Sequence, residues 1–232
     1  MNSFDLTILH YINQFVGRWP EFDRFVAFLT WQNILKGGAL VTMLWWAWFS
    51  GKHRARELVL ATLLGSFVAI AMTRFLASGL AFRLRPLANP ELNFHVPAGI
   101  KAANLLEWSS FPSDHAALFV GLATGLCFIS RRVGFAALAY TVVVILFPRL
   151  YGGIHHPTDL IVGGLLGVAC VVSACTHPVV ERISNRLLAF EKGRPAIFYT
   201  ALFIAFFEIA ELFEGVRNSA ESTLRLMTRL HL

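Results

Sequence analysis

Long apolar stretches separated by short polar connections dominate this chain. We count six candidate spanning helices, at about 33–50, 58–80, 113–130, 133–150, 157–176 and 196–213. Their uncharged cores run to about 13–16 residues, short of the ~20 that a full span needs, and flanking Arg and Lys side chains can reach the headgroups to make up the difference. Six such stretches in a row, with basic residues between them, predict an all-α integral membrane bundle.

Shorter amphipathic segments flank the six stretches. Residues 4–16 and 22–29 predict short helices that we expect to lie at the membrane interface. No connection is long or polar enough to divide the chain, so we expect one domain, 1–232. Its three parts are an interfacial leader at 1–32, the six-helix bundle at 33–213 and an amphipathic tail at 214–232.

Composition supports a membrane protein and excludes a nucleic-acid partner. Hydrophobic residues make up 56% of the chain and charged residues 15%, against about 25% charged in an ordinary soluble domain. The net charge is +6, but the basic residues stand in short clusters between apolar runs, which is how membrane proteins set their orientation. The partners that we expect are therefore membrane lipids.

The distribution of Lys and Arg predicts the orientation. The short connections at 52–57, 131–132 and 181–194 are dense in basic residues, whereas the longer ones on the opposite side carry theirs sparsely. The positive-inside rule then places the dense connections in the cytoplasm and both termini outside.

Side chains capable of chemistry gather on the predicted outer side. They lie in three clusters from separate parts of the chain: TRFLASGLAFRLRP at 73–86, FPSDHAALF at 111–119 and FPRLYGGIHHPTDL at 147–160. The predicted topology alone brings the three clusters to one face of the bundle.

Each of the three clusters contains groups that suit an anion. Ser113 follows Pro112 and is well placed as the N-cap of the next helix, where free backbone N–H groups attract negative charge. Arg85 and Arg149 offer planar forks that match the oxygens of a phosphate.

The third cluster combines a histidine with a carboxylate. Pro157 suits the first turn of a helix, so His155 and Asp159, four residues apart, can share one face at its start. A carboxylate bonded to one ring nitrogen makes the other nitrogen a better nucleophile or base. Gly152 and Gly153 allow the backbone to approach a ligand closely.

Other polar residues have plainer interpretations. The remaining histidines are read as interfacial side chains: His10, His53, His95, His156 and His177. Arg83 is equally consistent with a site residue and with a membrane anchor. Glu208, Glu211 and Glu214 recur every three residues and are read as exposed at the interface, paired with Arg74 or Arg83, or forming a lip of the site.

The three clusters together resemble the type 2 phosphatidic acid phosphatase family, and in particular its bacterial undecaprenyl-diphosphate phosphatases. The resemblance rests on RP at 85–86, PSDH at 112–115 and the R-x5-H-x3-D pattern from Arg149 through His155 to Asp159. It spans about a third of the chain, and the six-helix layout extends the likeness to most of it.

The resemblance implies a role for each matching residue. His155 would attack phosphorus and become a phosphohistidine, Asp159 would orient and polarise it, and His115 would protonate the leaving oxygen and then help to activate water. The residues that would hold the phosphoryl oxygens are Arg85, Arg149 and Ser113, and Arg74, Asp114 and Gly153 are further candidates for binding the phosphate. The scheme needs no metal and no cofactor.

The sequence departs from the family pattern at three positions. Ser78 occupies the place of the usual first-motif lysine, and Arg74, one turn earlier, could reach the same phosphate. Asp114 replaces the usual glycine of the second motif, a variant that resembles bacterial members acting on polyprenyl diphosphates. Pro148 replaces a serine before Arg149, which removes one hydroxyl donor.

The leading expectation is a bacterial lipid phosphatase, with its active site on the outer face of the cytoplasmic membrane and undecaprenyl diphosphate as substrate. Phosphatidylglycerol phosphate and phosphatidic acid are alternative substrates, and a lipid hydroxyl is an alternative acceptor to water. Zinc-dependent hydrolysis through His155, His156 and Asp159 is a third hypothesis, which the nearby arginines disfavour. A transporter or scaffold with an inactive site is the non-enzymatic one.

Overall fold

The computed structural model describes residues 2–50, 52–100 and 108–212, and within these ranges the chain is all-α, with no strand. The α-helices are α1 (Ser3–Asn13), α2 (Pro20–Trp31), α3 (Ala39–Trp48), α4 (His53–Gly79), α5 (Asp114–Ile129), α6 (Arg131–Tyr140), α7 (Phe147–Tyr151), α8 (Pro157–Thr176), α9 (Pro178–Gly193) and α10 (Pro195–Ala210). Two π-helical segments, Ile34–Gly38 and Thr141–Leu146, lead into α3 and α7.

Three helical stretches among the described residues are long and apolar enough to cross a membrane: His53–Gly79, Arg131–Tyr151 and Pro157–Thr176. The chain is therefore a multi-pass membrane protein. The apolar helices Asp114–Ile129 and Pro195–Ala210 are shorter, so the count of six spans stays a prediction. The predicted tail and Glu214 lie outside the described residues.

All three predicted basic connections are wholly or mostly helical, and Arg131 and Arg132 are the first residues of α6. The basic segment 52–57 was read as a connection, but it forms the first turns of α4, where Arg54 bonds Glu57 three residues on. Residues 181–194 were also read as a connection, and they lie mostly in α9, which buries Leu188 and Glu191. Residues 181–194 are amphipathic, and packing of their apolar face is enough to make them helical. Residues 53–57 are polar apart from Ala55, and they extend the apolar helix α4 at its start.

Close contact between α5 and α8 is the centre of the fold. A side chain on Gly163 would meet the Ser113 carbonyl oxygen at 2.2 Å, and one on Gly167 would meet that of Ala117 at 2.1 Å. The two glycines, four residues apart, let the helix backbones touch, as small residues do in membrane helix pairs. This contact holds the start of α5 beside the start of α8, where the second and third clusters lie.

The leader packs on the bundle through buried groups. In α1 the inward residues are Asp5 and Leu9, and in α2 they include Asp23 and Val26. The outward face of both helices is aromatic, with exposed Phe4, Tyr11, Phe22, Phe25 and Phe28. The two amphipathic helices of the leader are confirmed, and their placement at the membrane interface stays a prediction.

Candidate active site

The three clusters meet at one end of the bundle, and backbone hydrogen bonds join them. Leu87 N–H, just after the first cluster, donates to the Gly153 carbonyl at 2.9 Å. Ser113 N–H at the start of α5 donates to the Asp159 carbonyl at 3.1 Å. The predicted convergence is confirmed. The first and the second clusters are each hydrogen-bonded to the backbone of the third.

The backbone determines the tautomer of His155. This side chain is 3% exposed, and its Nδ1 lies 2.9 Å from the carbonyl oxygen of Ser110. A carbonyl oxygen only accepts, so Nδ1 carries the proton and Nε2 keeps its lone pair. Asp159 Oδ2 lies 3.6 Å from the same Nδ1. The hydrogen bond that orients the ring therefore comes from Ser110, and Asp159 adds negative charge.

Asp159 is held on both of its oxygens. Its Oδ2 accepts from the His156 backbone N–H at 2.8 Å and lies 3.2 Å from His156 Nδ1, while its Oδ1 accepts from Arg83 Nη1 at 2.5 Å. Pro157 is the first residue of α8, as predicted. His156 is buried, so its interpretation as an interfacial side chain was wrong. Arg83 belongs to the site.

The surroundings of His155 favour its neutral form. Burial lowers the pKa of the His155 imidazole below its ordinary value, and the positive charge of Arg85 lowers it further. The carboxylates of Asp159 and Asp114 oppose this shift in the pKa. A neutral ring with a free Nε2 is the form that acts as a nucleophile.

Two buried arginines flank the histidines. Arg85 Nη1 donates to the Ile154 carbonyl at 2.9 Å, which places its fork beside His155. Arg149 is 3% exposed, and its Nη1 donates to the Ile145 carbonyl one turn earlier at 3.1 Å. The charge of Arg149 acts on His115.

The start of α5 supplies the second histidine. Ser113 caps the helix by accepting from the Ala116 N–H at 3.3 Å, as predicted. His115 Nδ1 lies 2.9 Å from Asp114 Oδ1, and Arg74 forms an ion pair with Asp114 Oδ2. Arg74 therefore lies at the site through Asp114, and its contact with a phosphate stays a prediction.

The second and third clusters form a compact polar group. One ring nitrogen of His115, one of His155 and one carboxylate oxygen of Asp114 lie within 4.8 Å of one another. Three such atoms could hold a metal ion, but the ion pair from Arg74 and the nearby Arg149 surround them with fixed positive charge. That charge disfavours a dication and favours an anion. The zinc hypothesis fares no better at Asp159, where Arg83 and His156 already take both oxygens.

Gly153 is needed for its backbone conformation and for contact with a side chain, whereas the sequence predicted close approach to a ligand. Its φ of +67° lies in the left-handed region, and a Cβ there would meet the Phe94 ring at 2.5 Å. The close approach seen at Gly153 is thus that of Phe94. Its part in holding phosphate stays a prediction, as does that of Ser113.

Sequence reasoning missed three residues of the site. Lys36, in the π-helical segment, is 5% exposed and its charge acts on His115. Asp5 of α1 is fully buried against Arg83 and α8. A lone lysine in the apolar run NILKGGAL and an aspartate on the apolar face of α1 were signals for two of them. The Ser110 carbonyl could not be predicted from the sequence, because every residue has a backbone carbonyl.

For the described glutamates Glu208 and Glu211, the interpretation as partners of Arg74 or Arg83 was wrong, and Glu214 lies outside the described residues. Arg74 pairs with Asp114, and Arg83 pairs with Asp5 and Asp159. Glu211 instead accepts from Asn33 Nδ2 at 2.6 Å, next to the π-helical segment. Glu211 thus connects the end of α10 to the leader side of the bundle.

Comparison with known proteins identifies the class of protein that this fold and site define. The profile of the PAP2 superfamily matches residues 55–182, more than half of the chain and all three clusters. The chain belongs to the PAP2 superfamily, whose members are phosphatases.

Two individual proteins are similar to parts of the chain. One is the bacitracin transport permease protein BcrC of Bacillus licheniformis, 32% identical over 87 residues; the alignment spans 36% of this chain and 41% of BcrC. The crystal structure of Aquifex aeolicus LpxE superposes with a TM-score of 0.54 at 23% identity, covering 76% of this chain and 97% of LpxE. At this identity, the similarity to LpxE is one of fold alone.

Proposed function

We propose that this protein is a metal-independent membrane lipid phosphatase that forms a phosphohistidine intermediate. The observation that carries the proposal is the approach of His115 and His155, which bring one ring nitrogen each within 4.8 Å of the other. Buried Arg85 and Arg149 supply fixed positive charge beside them. Two neighbouring imidazoles with arginine forks beside them suit a phosphoryl group that is attacked from one side and released on the other.

The residues divide the reaction into two steps. His155 Nε2 attacks phosphorus, the bond from phosphorus to the leaving oxygen breaks, and His115 gives that oxygen a proton. Water then attacks the phosphohistidine while His115 takes up its proton, the P–N bond breaks, and phosphate leaves. Arg85, Arg149 and Ser113 hold the phosphoryl oxygens throughout, and Lys36 and Arg74 add positive charge at the edge.

The proposed membrane arrangement has six spans, the three long helices together with Ile34–Trp48, α5 and α10. The basic connections meet at the end of the bundle away from the site, where Arg54 lies 3.6 Å from Glu181 and Arg56 lies 3.2 Å from Glu191. By the positive-inside rule this end is cytoplasmic. The site then faces the periplasm of a bacterial inner membrane, and the lipid enters from the bilayer with its headgroup among the three clusters.

Among lipids we propose undecaprenyl diphosphate, which would be converted to undecaprenyl phosphate. The support is the PSDH sequence at 112–115, and the structure gives its Asp114 a specific position between Arg74 and His115. Phosphatidylglycerol phosphate and phosphatidic acid remain the alternatives.

Phosphate release by the purified protein tests the proposal. Wild type and His155→Ala are assayed in detergent with undecaprenyl diphosphate, phosphatidylglycerol phosphate and phosphatidic acid. His155→Ala is expected to lose on the order of 10³-fold or more in turnover. The matched control is His95→Ala, an exposed histidine in a connecting loop, which should keep full activity.

Each outcome has a defined meaning. No phosphate from any of the lipids would overturn the proposal, and so would full activity in His155→Ala. Release from a glycerolipid alone would keep the phosphatase and replace the substrate. Labelled phosphate on a second lipid, with none released, would show transfer instead of hydrolysis.

A further inference from the structure

A buried aspartate of the leader lies directly behind the third cluster. Asp5 of α1 is 0% exposed. Its Oδ1 accepts from the Thr158 backbone N–H at 2.9 Å, and its Oδ2 accepts from Thr158 Oγ1 at 2.7 Å. Thr158 lies in the first turn of α8, so Asp5 satisfies one of the free N–H groups at that helix start from a different helix.

Arg83 connects Asp5 to the catalytic cluster. Its Nη2 donates to Asp5 Oδ2 at 2.6 Å and its Nη1 donates to Asp159 Oδ1 at 2.5 Å. One guanidinium thus bridges two buried carboxylates, one from the leader and one beside His155. A planar fork with five fixed donors can do this, and each bond is charge-assisted.

Counting charges shows what Asp5 changes. Arg83, Asp5 and Asp159 together carry a net charge of about −1 when all three are ionised. Without the Asp5 carboxylate the same group is neutral, because Arg83 then cancels Asp159. Attack by His155 on phosphorus leaves positive charge on its ring, and a negative group behind the ring stabilises that charge.

We propose that Asp5 is a positioning residue of the active site, which shares the Arg83 fork and thereby keeps Asp159 effective as the negative partner of His155. This inference rests on the proposed phosphohistidine mechanism. It gives the leader a part in catalysis besides any membrane anchoring, although α1 lies far from the three clusters in the sequence.

Other charged groups also act on His155, and they do not depend on Asp5. Arg85 from the loop after α4 and Asp114 from α5 both influence its imidazole. His115 of α5 faces it within the group of atoms described above, and His156 bonds Asp159 from the start of α8. A change of Asp5 leaves all four in place, so its effect passes through Arg83 and Asp159.

The experiment compares wild type with Asp5→Asn, which keeps the shape and removes the charge. We measure kcat/KM against pH with one lipid substrate, since kcat/KM reports the ionisation of groups in the free enzyme. Asp5→Asn is expected to lower kcat by about 10-fold and to shift the acid limb toward lower pH by about half a unit. The double variant Asp5→Asn with Arg83→Gln restores the net charge of −1, and its acid limb should return toward that of wild type.

The matched control is Asp23→Asn. Asp23 is the other buried aspartate of the leader, and it accepts from Tyr151 Oη at 2.5 Å and from Gly17 N–H at 2.9 Å, with no arginine between it and the site. Its change should lower thermal stability and leave the acid limb in place.

The results separate the inference from the proposed function. An unshifted acid limb in Asp5→Asn, with only a lower melting temperature, would reduce Asp5 to a helix cap and overturn the inference. If Asp5→Asn does not fold, the test passes to the double variant Asp5→Asn with Arg83→Gln. An acid limb at the wild-type pH would support the charge argument, and an acid limb displaced from the wild-type pH would refute it. Absence of phosphate release by wild type would instead refute the proposed function.

Discussion

The Nδ1 atom of His155 lies 2.9 Å from the backbone carbonyl oxygen of Ser110. This bond leaves Nε2 unprotonated and aims it away from Ser110, whichever side chains surround the ring. The backbone therefore determines the tautomer of the ring. The carboxylate of Asp159, at 3.6 Å from Nδ1, adds negative charge beside it and opposes the lowering of its pKa.

The pH dependence of catalysis should report the environment of His155. Because burial lowers its pKa below the ordinary 6.5, the neutral nucleophile persists below pH 6.5 and is lost only as the pH falls through the lowered value. Asp159→Asn removes a carboxylate that raises this pKa, so its acid limb should move further toward low pH and its turnover should fall. A kcat/KM profile with one substrate checks both effects, and a limb that moves upward would contradict the assignment.

Substitutions of Arg85 and Arg74, both in the first cluster, should reduce catalysis to different extents. Arg85 is buried beside His155, and Arg85→Ala should reduce turnover by about 10²–10³-fold. Arg74 is partly exposed and acts through Asp114, so Arg74→Ala should raise KM by roughly 10-fold with a smaller effect on turnover. Arg132→Ala, an exposed change at the other end of the bundle, is the control. Unchanged kinetics in Arg74→Ala would remove Arg74 from the site.

Chelation should leave the activity intact. The group of Asp114, His115 and His155 is bordered by Arg74 and Arg149, whose positive charges oppose a bound dication. Phosphate release should therefore be the same with and without EDTA. Loss of activity in EDTA, with recovery on adding Zn²⁺, would show that the same atoms hold a metal ion.

Neighbouring glycines of α8 should respond in opposite ways to alanine. Gly163→Ala places a methyl group 2.2 Å from the Ser113 carbonyl, which forces α5 away from α8 at the level of the site and should cost about 1–3 kcal/mol. Gly164→Ala meets Val120 at an ordinary 3.6 Å and should be neutral or stabilising by up to ~1 kcal/mol. Thermal unfolding in detergent and turnover together test the pair, and equal behaviour would contradict the close α5–α8 contact.

The membrane orientation has a direct test. Single cysteines at Glu91 and Lys192 stand at opposite ends of the bundle, in a background with the native cysteines replaced. In intact cells, an impermeant thiol reagent should label the cysteine at Glu91 and leave the one at Lys192 unlabelled. The reverse pattern would place the site in the cytoplasm.

Local sequence was sufficient for most of the helices and for the chemistry of the site. Apolar runs predicted where the helices lie, and residue spacing predicted the cap at Ser113 and the helix start at Pro157. These properties depend on residues within a few positions of one another, where periodicity and capping rules apply. The amphipathic segment 181–194 was misread as a connection because the face that it buries depends on α4 and α10.

Partners that are distant in the chain came only from the tertiary structure. Asp5 meets Thr158 across 153 residues, and His155 meets Ser110 across 45. Such contacts depend on how α1, α5 and α8 are packed, and the α5–α8 part of that packing depends on backbone approach at Gly163 and Gly167. The sequence by itself determined which reactive groups are present and at which end of the bundle they lie. Only the tertiary structure decided which group holds which, because the geometry of a hydrogen bond is set by the packing of whole helices.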